Sequence, residues 1–409
     1  MPDQADAAPS TPPVAALSGI TVLELGQLIA GPYCGYMLAG FGADVIKVEP
    51  PRQGDAIRGW RKLHEGTSLW WRVIGSNKRS ITADLRQPEG RALVRDLAAT
   101  VDVVIENFRP GRMESWDLGY ETLSADNPGL VMVRVSGYGQ DGPYRDRPGF
   151  ANVAEAFGGL RYVTGEADRA PLRTGVSIGD TLAGMHGAYG TLAALRERDQ
   201  NGGRGQVVDV ALYESVLSVM ESLIPEYDLL GHVRERTGSS LPGIVPSGTY
   251  ACADGLHVVI GANSDALFVA LMNVIDRPDL GSAVALANNA GRSAHGAAID
   301  TAIGAWTQKH SSADALRMLA EADVPSGPIQ SAADIAADPH VAARGMLTRT
   351  ALPDGTEVAL PAHVPRLSRT PGTTRWAGPE LGAHNREVYG ERLGLDDAAL
   401  AALKARGTI

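Results

Sequence analysis

Near the start of the chain a strand, a helix and a second strand follow one another within about thirty residues, and this unit constrains the fold more than any other feature. Ile20 to Leu25 is a β-rich run, Gly31 to Gly42 has helical apolar spacing through Tyr33, Met37, Leu38 and Phe41, and Asp44 to Glu49 is strand-like again. Strands joined through a helix pair in parallel, and the crossover is expected to be right-handed.

The alternation continues. Arg79 to Leu85 reads as a strand, Pro88 to Ala99 as a helix with proline near its start, and Val101 to Glu106 as a strand. A short helix around Arg112 to Trp116 precedes a strand at Leu130 to Ser136. Such a βαβα series predicts an α/β fold with an open, doubly wound parallel sheet that binds ligands at the carboxyl ends of its strands. The aromatic segment Pro50 to Lys78, with Trp60, Trp70 and Trp71, is expected to be a long loop packed over a site.

The stretch from Arg173 to Leu195 carries a second signal. Asp180 follows Gly179 and opens a run with apolar residues at Leu182, Met185, Tyr189, Leu192 and Leu195, which predicts a helix with that row as its apolar face. Gly184, Gly187 and Gly190 thin one side, so that a backbone or ligand can come close. A carboxylate at this helix N-terminus is either a plain cap or an exposed oxygen nucleophile. His186 lies off the face of Asp180 and reads as packing.

Further on, Gln206 to Val210 is a β run and Leu212 to about Leu230 a helix, and the polar, Gly/Pro-rich stretch Gly231 to Gly248 reads as a linker or lid. Strands at Thr249 to Cys252 and Leu256 to Ile260, followed by helical sequence, predict a smaller α+β domain. The expected division is a tail at 1–16, a large domain at 17–230, a linker at 231–248, a small domain at 249–344 and a return to the large domain at 345–409, with terminal helices from Asn385. A chain of 409 residues suits two such cores.

Several function classes are disfavoured. The net charge of -10 argues against a nucleic-acid partner, and no apolar run is long enough to predict a membrane span. Met1 to Ala16 lacks the cationic region and apolar core of a signal peptide, and with only Cys34 and Cys252 as thiols the chain is expected to be cytoplasmic, each cysteine serving as a small core residue. Gly26, Gly31 and Gly35 miss the G-x-G-x-x-G spacing of a dinucleotide site. The histidines show no H-E-x-x-H spacing and no G-x-S-x-G elbow occurs, so no metal is expected and a covalent mechanism falls to a carboxylate. Arg52, Arg58, Lys78, Arg79, Arg86, Arg109 and Arg112 recur near strand ends. They are either solvated surface or a phosphate-binding rim, with the nearby tryptophans available to stack on a purine.

An ordered set of motifs then carries a resemblance that covers nearly the whole chain from about Leu17: Ile29 to Pro32, Gly42 to Glu49, Asn77 to Ser80, Asp84 to Gly90, Glu106 to Gly111, Ser136 to Pro143, and Gly179-Asp180. The sequence resembles the family III CoA-transferases, the group of formyl-CoA transferase and the carnitine CoA-transferases. The resemblance implies an interlocked homodimer, and it implies that Asp180 is the catalytic aspartate. It also implies that Gln27, Ala30, Arg52, Ala83, Arg86, Asn107, Phe108, Arg109, Gly137 and Tyr138 line the CoA channel. The implied partners are an acyl-CoA, with coenzyme A as substrate, and a small carboxylic acid; no metal, nicotinamide or flavin is implied. The implied chemistry runs through an aspartyl mixed anhydride and an aspartyl-CoA thioester on Asp180, with backbone groups of the Ser136–Gly142 loop and near Gly31 donating to oxyanions.

One position departs from the pattern: many relatives carry a basic residue where this chain has Ser115, which shifts a phosphate contact elsewhere, with Arg112 as the nearby candidate. The stretch Arg236 to Gly248 resembles that of family members using succinyl-CoA and C4 to C5 dicarboxylates, whereas a junction loop is the plain alternative. Two rivals stand beside the transferase. One is an α-methylacyl-CoA racemase, whose histidine base is replaced here by Gly149. The other is a CoA-binding subunit of a two-chain transferase.

Overall fold

A computed structural model describes residues 15–409, so most of the expected tail at Met1 to Ala16 lies outside the described residues. The chain divides into two compact units: one takes in the chain up to Leu160, Gly175–Met220 and Pro339–Ile409, the other Arg161–Thr174 and Glu221–Asp338. The segment Arg161–Thr174 thus groups with the second unit although the large domain surrounds it in sequence.

The first unit is built on β1 (Thr21–Glu24), α1 (Ala30–Gly40), β2 (Asp44–Glu49), β3 (Lys78–Thr82), α2 (Pro88–Ala98), β4 (Val103–Glu106), β5 (Val131–Ser136), α3 (Ile178–Gln200) and β6 (Val207–Ala211). The six strands form one sheet in the order β3-β2-β1-β4-β5-β6, every neighbouring pair parallel. That order reverses direction between β1 and β4, which makes their carboxyl ends the topological switch point.

Alternation along the strands splits the core into two layers. Val22, Val45, Val103 and Val131 face α1 and α3, while Leu23, Ile46, Val104 and Met132 face α2. Val388, Tyr389 and Leu403, from the helices Asn385–Leu393 and Asp397–Ala405, complete that second layer. Each such fully buried aliphatic side chain contributes roughly 1.5–3 kcal/mol, so both faces need their cover.

Three elements differ from the sequence reading. The segment after β2 is not one loop: it forms a 3-10 turn at Ala56–Gly59, a small hairpin and a helix at Leu69–Ile74, around the buried Ile57, Trp71 and Ile74. The helix expected from Leu212 to Leu230 breaks into Leu212–Leu217 and Leu223–Leu230. Glu221 takes a φ of 53° there, and Pro225 is tolerated only because it falls in the first turn of the new helix. Finally, α3 buries its small face, Ala183, Gly184, Gly187, Ala188 and Thr191, and leaves Met185, Tyr189 and Leu192 exposed. Close packing against α1 explains the inversion. A Cβ on Gly184 would lie 2.8 Å from the Ala30 carbonyl oxygen, and one on Gly187 would lie 3.3 Å from Cys34 Sγ. Only small residues fit at that separation.

The second unit holds an antiparallel sheet of β7 (Ser247–Ala251), β8 (His257–Gly261) and β9 (Ser326–Pro328), the last a strand too short for the sequence pattern to reveal. Val258 and Ile260 point into a core with Phe268, Leu271, Ile299 and Leu319 from the helices.

Candidate active site

The site is assembled at the switch point from loops that leave the carboxyl ends of the parallel strands. A cavity of about 570 Å³ opens there, lined by Leu25 and Gln27 after β1, Val48 to Gln53 at the end of β2 and beyond it, Ala83 to Arg86 after β3, and Phe108 and Trp116 after β4. Five sequence-predicted residues therefore meet in one cavity: Gln27, Arg52, Ala83, Arg86 and Phe108. Arg52 and Arg86 are exposed. Phe108 meets Trp116 edge-on at 5.2 Å, and the Arg112 guanidinium lies 5.4 Å from the Trp116 ring centroid.

Ala30, Asn107, Arg109, Gly137 and Tyr138 are not among the residues lining that cavity. Asn107 stands behind Gln27 and grips both of its backbone groups: the Gln27 N–H donates to Oδ1 at 2.8 Å, and Nδ2 donates to the Gln27 carbonyl at 2.7 Å. Ala30 opens α1, which no side chain caps. The positive end of that helix dipole therefore faces the loop that carries Gln27. Arg109 is exposed. Gly137 packs against Gly149, and Tyr138 joins an aromatic cluster with Tyr144, Phe157 and Tyr213.

The expected basic rim shrinks. Arg58 and Lys78 are buried, Arg58 on Glu49 at 2.7 Å and Lys78 on Glu24 at 2.7 Å, and Arg79 pairs with Asp44 at the amino end of the sheet. Arg86 holds Asp84 through two bonds of 2.8 and 2.9 Å, which pulls the Asp84 carboxyl down to about 2. Trp71 is a core residue beneath Arg58, and Trp70 lies under Arg61, so Trp116 is the tryptophan that reaches the cavity. Among the expected oxyanion donors, two are already used: Gly139 N–H donates to Ser136 Oγ and Gln140 N–H to Asp209.

Asp180 is the third residue of α3, in its first turn and half-buried, with Ser177 at the N-cap. α3 and α1 run the same way, since Gly184 packs on Ala30 and Tyr33 while Gly187 reaches Cys34. One turn back from Gly184 stands Asp180, and one turn back from Ala30 lies the Gln27 loop. The pairing thus puts Asp180 at the end of α3 nearest Gln27. Beneath it, Gly179 N–H donates to the buried Glu155 at 3.4 Å, a contact that nothing in the sequence pattern announced. Both cysteines are buried, and burial, reinforced by Glu24, pushes the Cys34 thiol up to about 12, which leaves it inert. Among the described residues no group of three or more histidine, cysteine or carboxylate side chains is placed to hold a metal ion.

Comparison with known proteins points the same way. The model of CoA-transferase family III matches residues 17–385. A succinyl-CoA–D-citramalate CoA-transferase from Chloroflexus aurantiacus is 50% identical over 97% of this chain and 99% of its own length. The beta subunit of a succinyl-CoA–L-malate CoA-transferase from the same organism is 41% identical over 96% of this chain and 98% of its own. A crystal structure of a CAIB/BAIF family protein from Brucella suis superposes with a TM-score of 0.82 at 35% identity, covering 92% of this chain and 99% of that one.

Proposed function

The chain belongs to CoA-transferase family III, and from that premise we propose that it moves CoA from succinyl-CoA to a C4 to C5 dicarboxylic acid such as citramalate, with Asp180 as the nucleophile. The observation that carries the choice of substrates is the end-to-end 50% identity with a succinyl-CoA–D-citramalate CoA-transferase.

The steps balance without an outside reagent. The Asp180 carboxylate attacks the thioester carbonyl of succinyl-CoA and expels CoA thiolate, leaving a mixed anhydride. The thiolate attacks the aspartyl carbonyl, releases succinate and leaves an aspartyl-CoA thioester. The acceptor carboxylate then attacks that thioester, giving a second anhydride and thiolate once more. Attack of the thiolate on the acceptor's carbonyl yields the new acyl-CoA and restores Asp180.

In this reading the cavity takes the nucleotide end of CoA. Phe108 and Trp116 supply an apolar wall for a purine, and Arg52 and Arg86 supply charge for phosphates. Arg112 beside Trp116 stands in for the basic residue replaced by Ser115, whose hydroxyl donates to the Arg112 carbonyl instead. The uncapped start of α1 offers amides to the oxyanion. The two compact units serve as the large and small domains.

A cytoplasmic homodimer completes the proposal. The exposed row Met185, Tyr189 and Leu192 supports self-association, and no helix among the described residues is long and apolar enough to cross a membrane. The racemase alternative is weakened at Gly149, where a Cβ would lie only 3.1 Å from Gly137 Cα, leaving little space for a histidine base. The test is an acceptor panel with succinyl-CoA read by mass spectrometry. The expected product is a dicarboxyl-CoA thioester that Asp180→Ala no longer makes; undiminished turnover by that variant rules the mechanism out.

A further inference from the structure

Beneath the Gln27 loop lies a set of six charged side chains that the transferase chemistry does not use. Lys47 pairs with Asp55 at 2.9 Å and Glu24 at 3.3 Å, Lys78 pairs with Glu24 at 2.7 Å, and Arg58 pairs with Glu49 at 2.7 Å. All six are buried, three basic groups against three carboxyl groups, and burial together with the neighbouring Lys47 lowers the Lys78 ammonium. Burial alone would lower the Lys47 ammonium, but Asp55, Glu24 and Glu49 outweigh it and the net shift is upward. Lys47 therefore stays charged.

Stability does not account for this arrangement, because well-packed apolar residues usually do as well as buried ion pairs or better. What distinguishes the network is the backbone it grips. Lys47 Nζ donates to the Gly26 carbonyl, the Asp55 carboxylate accepts from the Leu28 N–H at 3.0 and 3.1 Å, and Lys78 donates to the Pro32 carbonyl in the first turn of α1 at 2.7 Å. With Asn107 holding both backbone groups of Gln27, every peptide group from the Gly26 carbonyl to the Leu28 N–H has a side-chain partner. Leu28 needs that hold, since its φ of 65° is a conformation that branched, bulky residues avoid.

We propose that Lys47 and Asp55 are positioning residues for the transferase reaction: as an ion pair they hold the Gly26–Leu28 loop in its turn and so fix the start of α1, whose uncapped amides face the oxyanion formed at Asp180. The inference rests on the assignment of Asp180 as nucleophile. It adds that the pair acts on the rate of acyl transfer and not on CoA binding. Misplacement of a reacting group by about 1 Å is enough to cost on the order of a hundredfold in rate.

The test is the double variant Lys47→Met/Asp55→Leu, which removes one charge of each sign and leaves Glu24–Lys78 and Glu49–Arg58 paired. Three quantities are measured on the full chain: thermal midpoint, CoA affinity by calorimetry, and the single-turnover rate of the covalent CoA adduct on Asp180 from succinyl-CoA. The expected result is a CoA affinity near wild type, a lower midpoint because the Gly26 carbonyl and Leu28 N–H lose their partners, and an adduct rate lower by on the order of ten- to a hundredfold. Asp55→Asn, which keeps one acceptor for the Leu28 N–H, is expected to lie between the two, and it decides the matter if the double variant does not fold. Adduct rates within twofold of wild type, or a loss of CoA affinity that matches the loss of rate, overturn the proposal. Failure of the wild-type protein to form any adduct on Asp180 overturns the nucleophile assignment instead.

Discussion

Gly184 of α3 lies so close to Ala30 of α1 that a Cβ at position 184 would come within 2.8 Å of the Ala30 carbonyl oxygen and 2.9 Å of Tyr33 Cβ. In an open helix Gly→Ala gains about 1 kcal/mol, whereas overpacking costs about 1–3 kcal/mol, and backbone atoms cannot move aside here. Gly184→Ala is therefore expected to destabilise the protein by about 1–2 kcal/mol in urea denaturation and to slow turnover by displacing the start of α3. A gain in stability would show that the two helices are free to separate.

Asn107 makes two bonds to one residue, and the two halves of its amide are separable. Asn107→Ala removes both contacts to the Gln27 backbone and is expected to lower kcat/KM by on the order of tenfold or more. Asn107→Asp keeps the acceptor for the Gln27 N–H and loses the donor to its carbonyl, so its kcat/KM should fall further than a change that spared both bonds. Steady-state kinetics with succinyl-CoA check both values.

Arg86 is 78% exposed at the cavity mouth, so its removal should weaken binding without touching chemistry. Arg86→Ala is expected to raise KM for the acyl-CoA by about tenfold with kcat unchanged. The wild-type KM should rise with salt more steeply than the variant's, because screening weakens exposed charge contacts. A fall in kcat alone would place Arg86 elsewhere in the mechanism.

The bond from Arg86 also makes Asp84 a pH marker. Its carboxyl is held down to about 2 from an ordinary 3.8, so the folded state binds the proton less readily than the unfolded chain does. The stabilisation is therefore complete above the ordinary value and is lost as pH falls from about 4 to about 2. Exposure of Arg86 to water keeps the effect small. Thermal midpoints of wild type should fall more steeply over that interval than those of Asp84→Asn, and parallel curves would refute the assignment.

Tyr189 is 74% exposed in the middle of an apolar row on α3. Tyr189→Glu is expected to halve the molar mass seen by light scattering, as a self-complementary interface acquires two like charges. An unchanged mass would move the contact to another surface.

The fold was legible where periodicity reports one clear environment. The parallel strands read as apolar runs because both faces are covered, and α2 reads as a helix because only one of its faces is. The apolar face of α3 was misread for a physical reason: its buried side is glycine and alanine, chosen for closeness to α1, so the larger residues mark the surface. Basic residues were overcounted in the same way. Composition near a strand end does not separate Arg52 and Arg86, which reach the cavity, from Arg58 and Lys78, which turn inward to carboxylates. A trace of the difference is visible, since Lys47 interrupts the apolar run Val45-Ile46-Lys47-Val48 at a position that a buried strand grants only to a paired charge.

The closing of the central sheet by Val388 and Tyr389 carries a consequence for synthesis on the ribosome. The Tyr389 hydroxyl donates to the Thr82 carbonyl across 307 residues of sequence. At ordinary elongation rates about 15 to 60 s separate the emergence of those two partners. For that interval one face of β1, β2 and β3 has no cover from the final helices. Nascent chains halted before residue 385 should therefore engage chaperones.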